Sequence, residues 1–90
     1  MEQTNSFHLD PKKDMFSYTK EKRLPLVEIC GHKRVLIENH FGIAMYRCNE
    51  IMVKVCFGCI HVSGSGLIIK KFCKEKIVIS GDIDAIHFQR

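Results

Sequence analysis

The sequence has no tryptophan, only two prolines and no hydrophobic run long enough to cross a bilayer. A membrane-spanning helix needs roughly 20 apolar residues. The longest stretch without a charged residue runs from Val55 to Ile69, and it is interrupted by His61, two serines and three glycines. The N-terminus also lacks the apolar segment of a signal peptide. These absences predict a cytoplasmic protein without a transmembrane segment of its own.

The cysteines also exclude a class of protein. Their number, five, is odd, and they occur without an export signal. This combination predicts reduced thiols rather than the disulfide framework of a small secreted domain. Because free cysteine behaves as a small apolar residue, we expect most of the five side chains to be buried.

Valine and isoleucine are absent from residues 1–23, which carry five basic and four acidic residues instead. From Leu24 onward, 17 of the 67 residues are valine or isoleucine. A segment with so few apolar side chains cannot build a core. We therefore predict a polar N-terminal arm at residues 1–23, flexible or with a short helix, followed by one folded domain at residues 24–90.

The folded part is predicted to be all-β, with about eight short strands. β-branched runs begin every seven to ten residues and are separated by glycine or asparagine, which favour tight turns. The runs are Leu26–Cys30, Arg34–Glu38, Ile43–Arg47, Ile51–Cys56, Ile60–Ser63, Leu67–Lys71, Ile77–Ser80 and Asp84–Phe88. Two of them, Arg34–Glu38 and Leu67–Lys71, are apolar on both faces, which predicts central strands that are covered on both sides.

Two architectures fit this pattern, and in both each strand pairs with a near neighbour. One is an antiparallel meander folded into a small sandwich or open barrel. The other is a short β-solenoid, in which successive turns stack on one another. The few and irregular repeats favour the sandwich or barrel.

A metal site is one possible chemistry of the cysteines. Cys56 and Cys59 have the spacing that can hold one side of a zinc tetrahedron, and His61 and Cys73 are the nearest further ligands. A second ligand pair with the usual spacing is missing, so half of the zinc signature is absent. We expect no metal or other cofactor, and a small zinc-binding β domain remains an alternative interpretation.

Catalysis is not expected. His40 or His61 could serve as a base and any cysteine as a nucleophile, but no local signature of a nucleophile occurs. The segment Gly64-Ser65-Gly66 lacks the third glycine and the following helix of a dinucleotide-binding loop.

Nucleic-acid binding is a further alternative. Lys70, Lys71, Lys74 and Lys76 cluster around Phe72, and small β-barrels bind single strands with basic grooves and stacked aromatic rings. However, the cluster holds only one aromatic residue, and the net charge of +4 is small. A solvated loop that protects a sheet edge explains the lysines better, so no nucleic acid is expected as a partner.

The polar pair Asn39-His40 lies between two predicted strands. Asparagine tolerates the left-handed conformation, and its side chain can cap a turn. We therefore predict a structural role for the pair, with partner contact as the alternative.

The glycine-punctuated pattern resembles the YabP/YqfC family of sporulation proteins, and the YqfC branch most closely. The resemblance covers residues 24–88, and its most specific part is Ile37-Glu38-Asn39-His40 followed by Gly42-Ile43. Weaker parts are Leu24-Pro25, Phe57-Gly58-x-Ile60-x-Val62-x-Gly64 and Ile77-x-Ile79-x-Gly81. Glu38, Asn39, His40 and Gly42 are the motif residues that the resemblance identifies, without a known role.

The resemblance implies a non-enzymatic protein of an endospore-forming bacterium, made during sporulation. It also implies action in the mother cell, beside the outer forespore membrane, with a membrane protein as partner. The cysteines depart from the family pattern. The terminal run Asp84–Phe88 is a candidate edge strand, through which a partner or a second copy of the chain could add a strand.

Overall fold

The computed structural model describes residues 24–90, so the predicted N-terminal arm lies outside the described part of the chain. Between residues 24 and 90 there are six β-strands and no helix. The strands are β1 Leu26–Cys30, β2 Arg34–Glu38, β3 Ile43–Tyr46, β4 Glu50–Val55, β5 Gly58–Phe72 and β6 Lys76–Gln89. The predicted all-β class is confirmed, but the predicted number of eight strands is wrong.

Two long strands replace four of the predicted short ones. The runs at 60–63 and 67–71 both belong to β5, and those at 77–80 and 84–88 both belong to β6. Gly64, Gly66 and Gly81, which suggest turns in the sequence, lie inside these strands. The register between β5 and β6 shifts beside Gly64 and again before Ile68. Here glycine marks irregularities at which a strand bends, not a reversal of the chain.

The strands form one antiparallel sheet in the order β1-β2-β6-β5-β4-β3. Four of its pairings join consecutive strands, so each strand pairs with a near neighbour as predicted, and a further pairing joins β2 to β6. In this long-range ladder Val35 lies opposite Ile79, and Ile37 opposite Ile77. Because all ladders among the described residues are antiparallel, the alternative of a solenoid with stacked parallel turns is excluded.

The core consists of ten buried valine, isoleucine and leucine side chains on one face of the sheet. They are Val35, Ile37, Ile51, Val53, Val55, Ile60, Val62, Leu67, Ile77 and Ile79. These residues come from both halves of the sheet, yet they form one cluster. A flat sheet without a covering layer could not bury them, so the two halves must fold over each other as in a sandwich or open barrel.

The other face of the sheet is directed to solvent. Leu36 is only partly buried, and Ile68 is 52% exposed. The prediction that both of their runs are covered on two sides is therefore wrong. Arg34–Glu38 lies between β1 and β6, whereas the strand pairings of Leu67–Lys71 are with β6 alone, and no second layer covers the outer faces of the two runs within the described chain.

The folded sheet has two ends with different contents. We call the end at which β5 bends the bend end. Here the backbone N–H of Gly64 donates to the carbonyl of Asn49 over 3.1 Å, and that of Leu67 to the carbonyl of Cys48 over 2.8 Å. These bonds fasten the β3–β4 turn to β5 where β5 bends. The opposite end contains the β2–β3, β4–β5 and β5–β6 connections, and we call it the loop end. It comprises residues 24–25, 39–42, 56–57, 73–75 and 89–90.

Candidate partner-binding groove

Asn39 holds two segments of the loop end together. Its φ of 64° is left-handed, a conformation that asparagine tolerates better than most residues. The Nδ2 atom donates a hydrogen bond to the carbonyl of Leu24 over 2.9 Å. The backbone N–H donates to the carbonyl of Glu75 over 3.2 Å. Asn39 therefore fixes the start of β1 and the β5–β6 turn relative to the end of β2.

His40 uses both nitrogens of its ring in the same connection. Nδ1 accepts a hydrogen bond from the N–H of Gly42 over 2.9 Å, and Nε2 lies 2.8 Å from the carbonyl of Cys73. Since Nδ1 accepts, the ring proton is on Nε2, which donates to that carbonyl. The ring also lies 5.6 Å from that of Phe72, centroid to centroid.

The rest of the motif completes the link between the two halves of the sheet. Glu38 ends β2, where it lies opposite Leu26 on one side and Lys76 on the other. Beyond His40, the carbonyl of Gly42 accepts from the N–H of Lys54 over 2.8 Å. The motif thus connects β2 to β3 and β4 at the loop end.

The four candidate metal ligands do not converge. Cys56 lies in the β4–β5 turn, Cys59 and His61 follow in the first part of β5, and Cys73 lies beyond the other end of that strand. In the described part of the chain, no group of three or more histidine, cysteine, aspartate or glutamate side chains is placed to hold a metal ion. The imidazole of His61 instead lies 2.8 Å from Oε1 of Glu50 and stacks on His87.

The expectation that most cysteines are buried is wrong. Cys30, Cys48 and Cys56 are exposed, while Cys59 and Cys73 are partly buried. The physical reason is their placement in turns or on the outward face of strands, where alternation directs the intervening residues to the core.

Replacing Cys56 and Cys59 by serine should therefore change stability little. We expect the double variant to lose less than about 1 kcal/mol of unfolding free energy, because neither side chain is in the core. Ile60→Ala, which alters a fully buried residue of the same strand, should cost about 2–5 kcal/mol. Urea denaturation measures both. Stoichiometric zinc in the native protein that disappears in the double variant would contradict this account.

A groove opens at the loop end between β1 and the end of β6. It has a volume of about 620 Å³ and is lined by Leu24, Pro25, Val27, Phe57, Phe88 and Arg90. The rings of Phe57 and Phe88 meet edge to face, with 6.1 Å between their centroids. Five of the six lining side chains are apolar, so the groove favours an apolar occupant.

One half of β6 forms a free edge beside this groove. Of the residues of β6, only Lys76–Ser80 pair with β2. Among the described strands, residues 85–89 of β6 therefore have β5 as their one neighbour. The carbonyl of Gln89 points toward β5, since a Cβ atom on Gly58 would collide with it. By alternation, the N–H groups of Ile86 and Phe88 point to the open side. The predicted edge at 84–88 therefore exists on one side of the strand.

An ion pair marks the bend end. Lys33 Nζ donates to Oδ1 of Asp82 over 2.7 Å, and this hydrogen bond and charge lower the pKa of the Asp82 carboxyl. A lowered carboxyl pKa contributes stability above the unfolded-state pKa, which is lost as the pH falls through the folded-state value. Both side chains are exposed, so the contribution is small.

The groove itself was not predicted from the sequence. Phe57 and Phe88 are separated by half of the folded part, and the pairing of β5 with β6, in which Ile60 lies opposite Phe88, brings them together. The sequence analysis identified Asp84–Phe88 as a candidate edge strand, but not the surface opposite it.

Fold and groove define a small β protein with a folded antiparallel sheet and an open, apolar side. The chain belongs to the YabP family, whose family model matches residues 19–90. It is similar to the uncharacterized protein YqfC of Bacillus subtilis (strain 168), with 31% identity over 65 residues, which cover 72% of this chain and 70% of that protein. No solved structure matches. The predicted resemblance to the YabP/YqfC family is confirmed, and membership is consistent with a sporulation-associated protein.

Among residues 24–90, none of the secondary structure is a helix that could cross a bilayer.

Proposed function

We propose that this protein is a non-enzymatic sporulation protein that binds a membrane-protein partner in the mother cell, beside the outer forespore membrane. The observation that carries the binding role is the apolar groove with a free strand edge along it. The resemblance to a family whose members are paired with membrane proteins supports the nature of the partner. Family membership supports the connection with sporulation.

The binding mode that fits this surface is strand addition. An extended segment of the partner would pair with residues 85–89 of β6, where the N–H groups of Ile86 and Phe88 face the open side. Each backbone hydrogen bond contributes about 0.5–1.5 kcal/mol net. Alternate side chains of the added strand would enter the groove beside Phe57 and Phe88, and their apolar surface would add about 25 cal/mol per Å² buried.

The motif Glu38–Gly42 supports this function indirectly. Asn39 holds the carbonyl of Leu24, and Leu24 forms one wall of the groove. The motif therefore positions the wall opposite Phe88, and we assign it a positioning role rather than a contact with the partner.

The test replaces Ile86 by proline, which removes an outward N–H group from the edge. Ile86→Ala is the matched control, since it loses the same side-chain packing but keeps the N–H. A photo-crosslinking residue at Phe88 reports the occupant of the groove in sporulating cells. We expect a cross-link to a membrane protein in the Ile86→Ala protein and none in the Ile86→Pro protein, with both variants melting cooperatively.

The same strains test the biological role. Deleting the gene should block a late stage of sporulation and leave vegetative growth unchanged. Ile86→Ala should restore heat-resistant spores, and Ile86→Pro should not. A folded Ile86→Pro protein that restores spores would show that the edge is not used, and normal sporulation of the deletion strain would refute the sporulation role. A cross-link only between two copies of the chain would replace the membrane partner by a homodimer.

A further inference from the structure

Positive charge is concentrated at the loop end of the molecule. Six basic residues lie there or in the strand ends that lead to it, namely Lys54, Lys70, Lys71, Lys74, Lys76 and Arg90. Glu38 and Glu75 are the acidic residues of this region. The rest of the described chain holds three basic and four acidic residues. One end of the protein is therefore clearly positive and the other nearly neutral.

Exposed aromatic rings are found at the same end. Phe41, Phe72 and Phe88 are 50%, 57% and 60% exposed. The bond from His40 to the carbonyl of Cys73 holds the loop of Phe41 next to the turn that follows Phe72. Large apolar rings surrounded by basic side chains on neighbouring loops are typical of a surface that meets an apolar and anionic partner.

We propose that the loop end binds directly to the surface of an anionic lipid bilayer. The lysines would attract the headgroups, and the rings of Phe41 and Phe72 would enter the interface between headgroups and acyl chains. This binding needs no membrane protein, so it goes beyond the proposed function.

A bilayer fits the surface better than a single-stranded nucleic acid does. Of the six basic side chains, that of Lys74 lies in the β5–β6 turn, that of Arg90 follows β6, and the other four lie near the ends of three separate strands. Single-strand binding needs a basic groove that follows the backbone and a row of stacking rings. The groove of this protein is lined by apolar residues, with Arg90 as its only charged side chain. Its opening at the loop end would place it next to the bilayer, within reach of a segment that emerges from the membrane.

The first experiment measures binding to vesicles by sedimentation, with the purified full-length protein and no partner. Vesicles of phosphatidylglycerol and phosphatidylcholine in equal parts are compared with vesicles of pure phosphatidylcholine. The test variant replaces Lys70, Lys71 and Lys74 by glutamine. The control variant replaces Lys33, Arg34 and Arg47, which lie toward the bend end, by glutamine. Because each variant loses three positive charges, the two have the same net charge.

The two variants should differ strongly in affinity for the anionic vesicles. Each lysine close to an anionic surface contributes roughly fivefold, so the test variant should bind about 100-fold more weakly than the unaltered protein. The control variant should bind within about twofold of it, because its charges lie more than a Debye length from the membrane. Neither variant should bind to vesicles of pure phosphatidylcholine.

A second measurement follows the insertion of the rings. Because the chain has no tryptophan, Phe41→Trp introduces a single fluorescent reporter at the loop end, and Ile68→Trp introduces one on the exposed outer face of β5. On addition of anionic vesicles, the tryptophan emission of the Phe41→Trp protein should shift to the blue. The emission of the Ile68→Trp protein should not shift.

Three results would overturn the proposal. Equal loss of vesicle binding in the two charge variants would show attraction by net charge alone, without a defined surface. Absence of binding to anionic vesicles would refute a lipid surface. Binding of a single-stranded oligonucleotide through the same three lysines, without vesicle binding, would assign the loop end to nucleic acid. None of these results affects the test of the groove with the Ile86 variants, because that test measures cross-links formed at Phe88.

Discussion

Replacing Gly64 by alanine should unfold the protein or bring it close to unfolding. A Cβ atom at this position would collide with the backbone carbonyl of Asp82 and would crowd Ile83. These are backbone atoms of β6, so no side-chain rotation can relieve the contact. The N–H of Gly64 also donates to Asn49, which ties the bend to the β3–β4 turn. We expect a loss of about 4 kcal/mol or more, near the upper limit for one substitution.

The matched control is Gly66→Ala, two residues away in the same strand. Gly66 has a left-handed φ of 63°, but no atom lies within 4 Å of a Cβ added there. Alanine at Gly66 should cost only about 1–2 kcal/mol, the amount expected for a left-handed alanine. Chemical denaturation and the near-ultraviolet signal of the tyrosines measure both variants. Similar stability of the two variants would show that β5 and β6 do not approach closely at Gly64.

The same glycines explain where prediction from the sequence succeeded and failed. The pattern of β-branched runs located β1, β2 and β3 to within one residue. It could not distinguish a glycine that reverses the chain from one that lets two backbones approach, as Gly64 does. That distinction depends on a strand far away in the sequence. The count of eight strands was therefore too high, while the all-β class was right.

The candidate site shows the same limit. The turn chemistry of Asn39 could be predicted locally, because left-handed φ and capping are properties of one residue and its neighbours. The groove between Leu24 and Phe88 could not, because its walls come from opposite ends of the folded part. The thiols were misjudged because cysteine is apolar on average, whereas each of these five lies in a turn or away from the core.

Replacing His40 by alanine should weaken the connection between the two halves of the sheet. The substitution removes the acceptor of the Gly42 N–H and the donor to the Cys73 carbonyl, both in a partly buried setting. A polar group that loses its partner away from water costs about 1–3 kcal/mol. Contact with the ring of Phe72 is lost as well. We expect a total loss of about 2–4 kcal/mol of unfolding free energy.

His87→Ala is the matched control for this prediction, because His87 is exposed on the outer face of β6 and its ring contact is with His61. It should change stability by less than about 0.5 kcal/mol. Hydrogen exchange gives a local readout: in the His40→Ala protein the amide of Gly42 should exchange far faster, while that of Ile79 in the core follows the global stability. Slow exchange at Gly42 in the variant would mean that the loop is held without His40. The motif would then owe its position to Asn39 alone, whose bond to Leu24 supports the groove wall.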